Sequence, residues 1–441
     1  MGRTLRFVIG LIAVAALAAW MADHPGRVTL FWREWRIDTS VALLALVVAA
    51  VAAATAVIYR FWLFLRRSPA RLRRALKERR RRKGYLALTQ GMVAVAAGDA
   101  KEARKQADRA DVLLGDPALT LLLSAQAAQL GGDERAAERF FLAMRDRPET
   151  AFLGLRGLLN QAVKAGDRDG ALQLARQAHR LRPDSAWVET QLLTLETETG
   201  RWTDAQQTLR HAVKKSIVER GRGRHLDGVL DYLQGVDAEA RGDASAAMDT
   251  IGRALKRAPD LVPATVAQAR LQAAAGKARR AVATLERGWL AHPHPEIAAA
   301  YRMLRKPADA LAAVQAIQRL VRRNPEAVES RIAVAQAALD AELWGEARKQ
   351  LQPLLEGMPS ARICRLMARI EDAERQDRAA SHDWLTRASL APADPVWQCG
   401  ECRMTAPGWS ARCGHCGGFD TLRWQTPAAA ALLAPAPASA V

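Results

Sequence analysis

Six glycines recur through the middle of this 441-residue chain at intervals that are best explained by a repeating fold. Consecutive glycines lie 34 residues apart except for one step of 42, and an alanine follows each glycine by five residues. The glycines are Gly98, Gly132, Gly166, Gly200, Gly242 and Gly276, and the alanines are Ala103, Ala137, Ala171, Ala205, Ala247 and Ala281. The long step predicts an insertion of eight residues near positions 221–224, and Ala313 and Ala347 continue the period without a turn glycine.

A turn glycine between two helices, with a small residue where the helices cross, is typical of tetratricopeptide repeats. Alanine is the best helix former, and an aromatic content of only 5% argues against extensive sheets. Each unit buries its apolar face only against its neighbours, so about nine units should stack over residues 84–391, the last a degenerate one near 380–385. The predicted fold class is all-α, with a superhelical array as a binding scaffold. Prolines end several units: Pro183, Pro259, Pro293, Pro325 and Pro359.

Two apolar segments precede the repeats. Residues 41–59 form an apolar run of 19 without a charged residue, and residues 7–22 form a run of 16 that follows Arg3 and Arg6. Because a helix needs about 20 residues to cross a bilayer core, the later segment predicts a membrane span and the earlier one a shorter span. The earlier segment has an alternative as a cleaved signal peptide, because it ends in small residues. With both retained, residues 1–65 form a transmembrane hairpin.

The formal charge of +19 is concentrated beside the second apolar segment. Residues 66–83 hold eleven Lys or Arg against the single acid Glu78, whereas residues 23–40 hold three charges of each sign. The positive-inside rule therefore predicts that both termini are cytoplasmic, with a short loop outside. Basic residues beside a span also bind anionic lipid headgroups. We predict a lipid-binding juxtamembrane helix at 66–83, in preference to a nucleic-acid site.

Four of the five cysteines lie within 18 residues, as Cys399-x2-Cys402-x10-Cys413-x2-Cys416. A Cys-x2-Cys turn places two sulfurs on one side of a tight loop, and two such turns complete a tetrahedron. A pair of disulfides is the alternative, which the reducing cytoplasm disfavours. Residues 396–425 are therefore predicted to form a four-cysteine metal module of the rubredoxin-like or zinc-ribbon type.

Four thiolates suit zinc and iron alike, and we favour structural zinc because no other redox-active group is evident in the sequence. So small a module needs metal for its stability. His415 is expected to point outward, and residues 426–441, rich in alanine and proline, to be disordered. Four aromatic residues are expected to cluster around the metal: Trp397, Trp409, Phe419 and Trp424.

The repeats carry no recognisable catalytic set, and the sequence predicts a protein without catalytic or cofactor-binding residues outside the metal module. Neither a phosphate-binding glycine loop nor a nucleophile elbow is present. His292-Pro-His294 could ligate a metal or haem iron, but two histidines alone are a weak signal. Cys364 is predicted to be a buried thiol. The scattered histidines are predicted to occupy surface polar positions: His179, His211, His225, His292, His294 and His382.

The order of these parts resembles the proteobacterial HemY-type membrane proteins. The resemblance covers most of the chain and is most specific at residues 1–83 and at 397–424, with its Trp-x-Cys-x2-Cys…Trp-x3-Cys-x2-Cys-x2-Phe-Asp-Thr-Leu-x-Trp pattern. It implies a multi-pass protein of the bacterial inner membrane that is linked to the late steps of protohaem biosynthesis. The family implies assistance to porphyrin metabolism through gathering of enzymes, without an established catalytic residue set.

The layout also resembles the LapB regulators of lipopolysaccharide assembly, which join one membrane helix to tetratricopeptide units and a rubredoxin-like site. In that family the metal domain docks against the repeats, and the array recruits a membrane protease and its substrate. The present chain departs from that pattern in its two predicted spans, which favours the HemY-type resemblance.

Three functions are compatible with these features. The favoured one is a scaffold that binds proteins of late haem biosynthesis; the alternatives are a regulator of lipopolysaccharide synthesis through a protease, and an iron–thiolate redox protein that acts on porphyrin. Because the metal module follows the last unit after only residues 391–395, we expect it to close the repeat groove near the membrane and to govern partner binding.

Overall fold

The computed structural model describes residues 26–32, 35–115 and 117–427, and seven further residues between positions 8 and 20. Most of the first predicted span, at 7–22, and residues 428–441 of the predicted disordered tail lie outside the described residues. The chain forms two compact units, Met1–Phe140 and Phe141–Val441.

In the first unit, the loop predicted before the long apolar helix contains an antiparallel hairpin. Strands β1 (Arg27–Trp32) and β2 (Trp35–Ser40) pair from Arg27 opposite Ser40 to Trp32 opposite Trp35. The valine, threonine, isoleucine and aromatic residues of the hairpin favour extended backbone. The prediction of only a short loop here did not take this preference into account. Ser40 ends the hairpin and caps the next helix, because its hydroxyl accepts a hydrogen bond from the Leu43 N–H at 3.3 Å.

Helix α1 (Val41–Ala96) is continuous over 56 residues. Its segment Val41–Leu63 is long and apolar enough to cross a membrane, with a mean hydropathy of 2.8 and none of it buried. It is the one such helix among the described residues. The same helix continues through the basic residues 66–83 and ends in the first repeat, so one rod of backbone joins the three segments.

The repeats consist of antiparallel helix pairs, as predicted. Counting the end of α1 with α2, the described residues contain nine pairs, in which odd-numbered helices come first and even-numbered ones second. Their bounds are α2 Ala100–Leu114, α3 Pro117–Leu130, α4 Glu134–Arg145, α5 Ala151–Lys164, α6 Arg168–Leu181, α7 Ala186–Glu198, α8 Trp202–Lys214, α9 Arg220–Ala240, α10 Ala244–Arg257, α11 Val262–Ala274, α12 Ala278–Ala291, α13 Pro295–Arg305, α14 Ala310–Val321, α15 Val328–Asp340, α16 Trp344–Leu351, α17 Ala361–Arg375 and α18 Arg378–Leu390. A 3-10 turn, Gln352–Leu355, follows α16.

The turns between paired helices explain the glycine period. All six glycines adopt left-handed backbone, with φ between 69° and 84°, and all six following alanines are fully buried at the helix crossings. Four of the turns continue with an aspartate whose carboxylate accepts a backbone N–H of the next helix: Asp99, Asp133, Asp167 and Asp243.

The last three pairs keep this turn without glycine. Lys306, Glu342 and Gln376 take the left-handed position, with φ between 43° and 57°. Ala347 is fully buried as predicted, whereas Ala313 is only half-buried. The difference follows from the short helix α13, of 11 residues, and from the longer turn that separates it from α14.

The predicted insertion lengthens one helix. Helix α9 has 21 residues, whereas α7, at the same position in the preceding pair, has 13. Counted back from the turn glycine that follows each helix, α9 begins eight residues earlier than α7 does, so the extra eight residues are its first two turns, 220–227.

Cys364, on α17, is 1% exposed as predicted, and burial raises the pKa of its thiol.

A small sheet closes the second unit. Strand β3 (Val396–Cys399) lies between β4 (Thr405–Ala406) and β5 (Leu422–Gln425), and both pairings are antiparallel. The all-α prediction therefore holds for the repeats, while this sheet and the segments between its strands carry the four cysteines.

Candidate metal centre and its docking surface

The four predicted cysteines meet at one point. Their Sγ atoms all lie within 4.8 Å of one another, with Cys399 and Cys416 3.7 Å apart and Cys402 and Cys413 3.6 Å apart. A tetrahedron of sulfurs about 2.3 Å from zinc has edges of about 3.8 Å. The observed spacing therefore fits a tetrahedral four-thiolate site before any ion is added, and His415 is exposed outside it.

The two knuckles supply hydrogen bonds that favour thiolates. Burial opposes ionisation of Cys399, but its sulfur lies 3.2 Å from the Thr421 hydroxyl and also faces backbone N–H groups of Glu401 and Cys402. Together these groups lower the pKa of Cys399 to about 6. A thiolate at neutral pH is the form that binds metal.

A cation would complete this arrangement. The Gly418 N–H favours the thiolate of Cys416, yet burial and the neighbouring cysteine sulfurs raise its pKa to about 12. Four sulfurs this close cannot all ionise alone because like charges repel, and a divalent ion removes that conflict. The donor set fits zinc and iron equally, and in such closed sites the metal's role is to hold the fold together.

Arg412, beside Cys413, ties the module to helix α7. Its guanidinium donates to the Thr194 carbonyl at 2.8 Å and to the Thr197 hydroxyl, and it lies 3.4 Å from Glu198. All three partners sit near the C-terminal end of α7. Carbonyl and carboxylate oxygens at a helix end are suited to a cation, so this contact anchors the second knuckle to the array.

Asp420 makes the second anchor, on the inserted turns of α9. The residue is 1% exposed, and its carboxylate accepts a hydrogen bond from Arg222 Nη1 at 2.5 Å, while Arg222 Nη2 reaches its backbone carbonyl at 3.0 Å. His225 Nε2 and Arg423 Nη2 both lie 3.3 Å from the same carboxylate. The histidine nitrogen is close without being aligned for a hydrogen bond.

The charges of this anchor support one another. Burial alone would raise the pKa of Asp420, but His225, Arg423 and Arg222 hold it below its ordinary value. The nearby carboxylates of Asp260 and Asp420 raise the pKa of His225 to about 9 against the opposing effect of burial. His225 is therefore protonated at neutral pH, and the anchor consists of fully charged groups.

Aromatic side chains fill the boundary between module and array. The His294 ring contacts both Trp397 and Trp424, with ring centroids 5.2 and 4.4 Å away, and Trp397 Nε1 donates to Glu296 at 3.2 Å. Trp409 packs edge-on against Tyr232 of α9 at 5.6 Å. Trp397 shares one apolar cluster with Cys399, Cys413 and repeat residues, while Phe419 joins the clusters of α8 and α9. The predicted aromatic cluster thus extends into the repeats.

The expectation that the histidines are surface residues is wrong for His294. It is 1% exposed, and its Nδ1 accepts the Glu296 N–H at 3.2 Å, which caps α13. Burial lowers its pKa to about 4. His179 and His211 contact the buried carboxylate of Glu189, at 3.4 and 2.5 Å, and so also have structural roles.

Sequence reasoning identified the cysteines and missed the residues that receive the module. Arg222 and His225 lie in the eight-residue insertion, so a break in a regular period was the available signal. The helices that contact the module, α7, α9 and α13, are all first helices of their pairs. The module therefore covers part of the face that first helices form. The expectation that the module lies near the membrane concerns both compact units and stays a prediction.

Two family descriptions match the chain. Residues 26–132 match the family described as HemY protein N-terminus, and residues 162–216 match a tetratricopeptide repeat. The first match spans the hairpin, α1, α2 and α3, and the second spans α6 to α8 with their flanks.

One curated relative matches along nearly the whole chain. It is the probable magnetosome protein Mms48 of Magnetospirillum gryphiswaldense, 26% identical over 449 residues, which cover 98% of this chain and 96% of that protein.

Solved structures with similar helices include a tetratricopeptide repeat protein from Parabacteroides merdae, 14% identical over 54% of this chain and 93% of that one, with a TM-score of 0.26. Another is the TPR2AB domain of yeast Sti1 in its pHSP90 complex, 16% identical over 71% of this chain and 99% of that one, with a TM-score of 0.26. TM-scores this low support no inference about ligands or partners.

Proposed function

We propose that this chain, which joins a HemY N-terminal domain to tetratricopeptide repeats, is a membrane-anchored scaffold that binds proteins of late porphyrin metabolism. The observation that carries the proposal is the HemY match at residues 26–132, directly followed by the helix-pair array. Repeats of this kind bind protein segments along their exposed faces. The link to haem biosynthesis comes from the HemY family.

The scaffold is proposed to be non-catalytic. The sequence offers no nucleophile–base pair or phosphate-binding loop, and binding energy in repeat arrays comes from an extended surface. The expected partners are membrane-associated biosynthetic enzymes, held together so that a poorly soluble intermediate passes between them.

Anchoring to the bacterial inner membrane is proposed to use two spans, with both termini cytoplasmic. The helix Val41–Leu63 supports one span, and the apolar residues 7–22 would be the other. Residues 66–83 then lie at the cytoplasmic surface, where eleven basic side chains bind anionic lipid.

The four cysteines are proposed to hold structural zinc, with iron as the alternative. Docking of the module on α7, α9 and α13 restricts the first-helix face that partners can reach. A metal-dependent module would thereby couple metal content to partner choice.

The porphyrin and haem content of cells that lack this protein tests the proposed pathway. Accumulated late porphyrin with reduced haem, restored by the wild-type gene, supports the scaffold function. Capture of partners by the full-length protein in detergent then identifies the enzymes, and loss of those partners in a Cys413→Ser/Cys416→Ser variant would support control by the module.

A second function is favoured by one observation, the docking of a four-cysteine module on tetratricopeptide repeats, which the LapB-type regulators share. It predicts a normal porphyrin profile, altered lipopolysaccharide levels and co-purification of a membrane protease. The third, an iron–thiolate redox role, predicts purified protein with red iron absorbance and turnover of porphyrin in isolation.

A further inference from the structure

A cavity of about 250 Å³ lies between the metal module and the array. The array supplies one side through the inserted turns of α9, the residues before α11 and the residues before α13, and the module supplies the other through its tryptophans and β5. The proposed scaffold function makes no use of this space. The cavity is slightly smaller than typical pockets for drug-sized ligands, so it suits a smaller molecule.

One end of the cavity is positively charged. Arg222, His225 and Arg423 surround the buried carboxylate of Asp420, and His225 also lies 3.5 Å from Asp260. Because His225 is protonated at neutral pH, three cations face two carboxylates, which leaves one positive charge in excess. Arg423 is 44% exposed on its side chain and lies 3.3 Å or more from the carboxylate, so it can also reach a second anion.

The rest of the lining is mostly apolar and aromatic. Trp397, Trp409 and Trp424 of the module line the space together with Leu261 and Val262 of the array. Indole faces favour stacking with planar rings, and a guanidinium favours a carboxylate. A phosphate dianion would exceed the available charge and leave the indole walls without a partner.

We propose that this cavity binds a small aromatic monocarboxylate, with its ring between the tryptophans and its carboxylate on Arg423 and Arg222. Both the array and the module line the site, so a bound ligand contacts both and stabilises the docked module by mass action. The ligand would thereby control how much of the first-helix face is covered. This inference holds whichever proteins the array binds.

Benzoate is the probe for the test, and benzamide is its neutral counterpart of the same shape. Ligand-observed NMR titrations would use full-length, metal-replete protein in detergent at pH 7. The informative variant is Arg423→Gln, and the matched control is Arg403→Gln, which removes the same charge from an exposed position of the same module outside the cavity lining. Metal content equal to that of wild type establishes that each variant retains an intact module.

The expected result is saturable binding of benzoate, with benzamide at least roughly tenfold weaker. Arg423→Gln should weaken benzoate about tenfold, whereas Arg403→Gln should bind as wild type does. Saturating benzoate should also slow proteolysis within residues 396–425. The proposal is overturned by an absence of saturable benzoate binding, by equal binding of benzamide, or by equal affinities of the two variants.

Discussion

The contacts that hold the repeats together join residues close in the sequence, whereas the contacts that hold the metal module join residues far apart in it. A turn aspartate such as Asp167 bonds an N–H three residues away, whereas Arg222 and Asp420 are separated by 198 residues and Arg412 and Thr194 by 218. Local contacts let each pair form with its neighbours. The module forms its contacts only once the array beneath it has the right spacing, so it should be the part most easily released.

Loss of the metal is expected to have the largest effect on how firmly the module is held against the array. A Cys413→Ser/Cys416→Ser variant removes two of the four thiolates, and structural zinc in small domains contributes about 10–16 kcal/mol to folding. The module should lose its metal, leave the array and be cleaved rapidly by protease within residues 396–425. Metal analysis and limited proteolysis measure both outcomes.

The helical circular dichroism of this variant should stay close to that of wild type, because the pairs are stabilised locally. A Cys364→Ser variant is the control, since that thiol is buried on α17, away from the metal cluster. Retention of a protected module without metal would contradict the expected dependence on the ion.

Removal of the buried carboxylate should have the next largest effect. Asp420→Asn keeps the shape of the side chain but leaves Arg222 and His225 facing each other without their shared anion. Breaking such a partly buried charge cluster costs about 2–4 kcal/mol. Urea unfolding followed by tryptophan fluorescence should show earlier release of the module, and Asp383→Asn, at an exposed position on α18, should leave the transition unchanged.

Raising the pH should weaken docking through His225. Its pKa is about 9 in the folded protein against an ordinary 6.5, so its contribution is complete below about pH 6.5 and is lost as the pH rises through 9. Asp260 and Asp420 have lowered pKa values and stay ionised throughout this range. Because His225 is partly exposed to solvent, the loss of docking stability should amount to roughly 1–2 kcal/mol.

The comparison of wild type with His225→Gln between pH 6 and pH 9.5 isolates this contribution, because thiolate ionisation affects both proteins alike. The stability difference should shrink as the pH rises. A difference that stays constant over this range would show that His225 acts through packing alone.

A turn substitution should have the smallest and most local effect. Gly166 has φ of 74° and no neighbour within 4 Å of an added Cβ, so Gly166→Ala meets backbone strain without a clash and should cost about 1–2 kcal/mol. Gly345→Ala, in α16 with equally open space and no left-handed backbone, should be neutral or slightly stabilising. Thermal unfolding measures both, and protection of the metal module should change in neither.

The array could be predicted in detail because its determinants are close together in the sequence. The turn glycines, the crossing alanines and the eight-residue insertion were all found where their spacing placed them. Ala313 was less buried than its period suggested, because a short preceding helix changed the local geometry. The hairpin at 27–40 was missed because its strand-forming residues were considered only as a connection between spans.

The sequence by itself determined the helix pairs and the set of four sulfur ligands, since each rests on residues within one turn or one knuckle. Only the tertiary structure decided where the module docks and which charges meet there. Asp420 reaches Arg222 and His225 because the stacked pairs carry two extra helical turns to the right place, and because the module folds back from the last pair. That distance is the sum of many packing angles, which no local pattern of residues specifies.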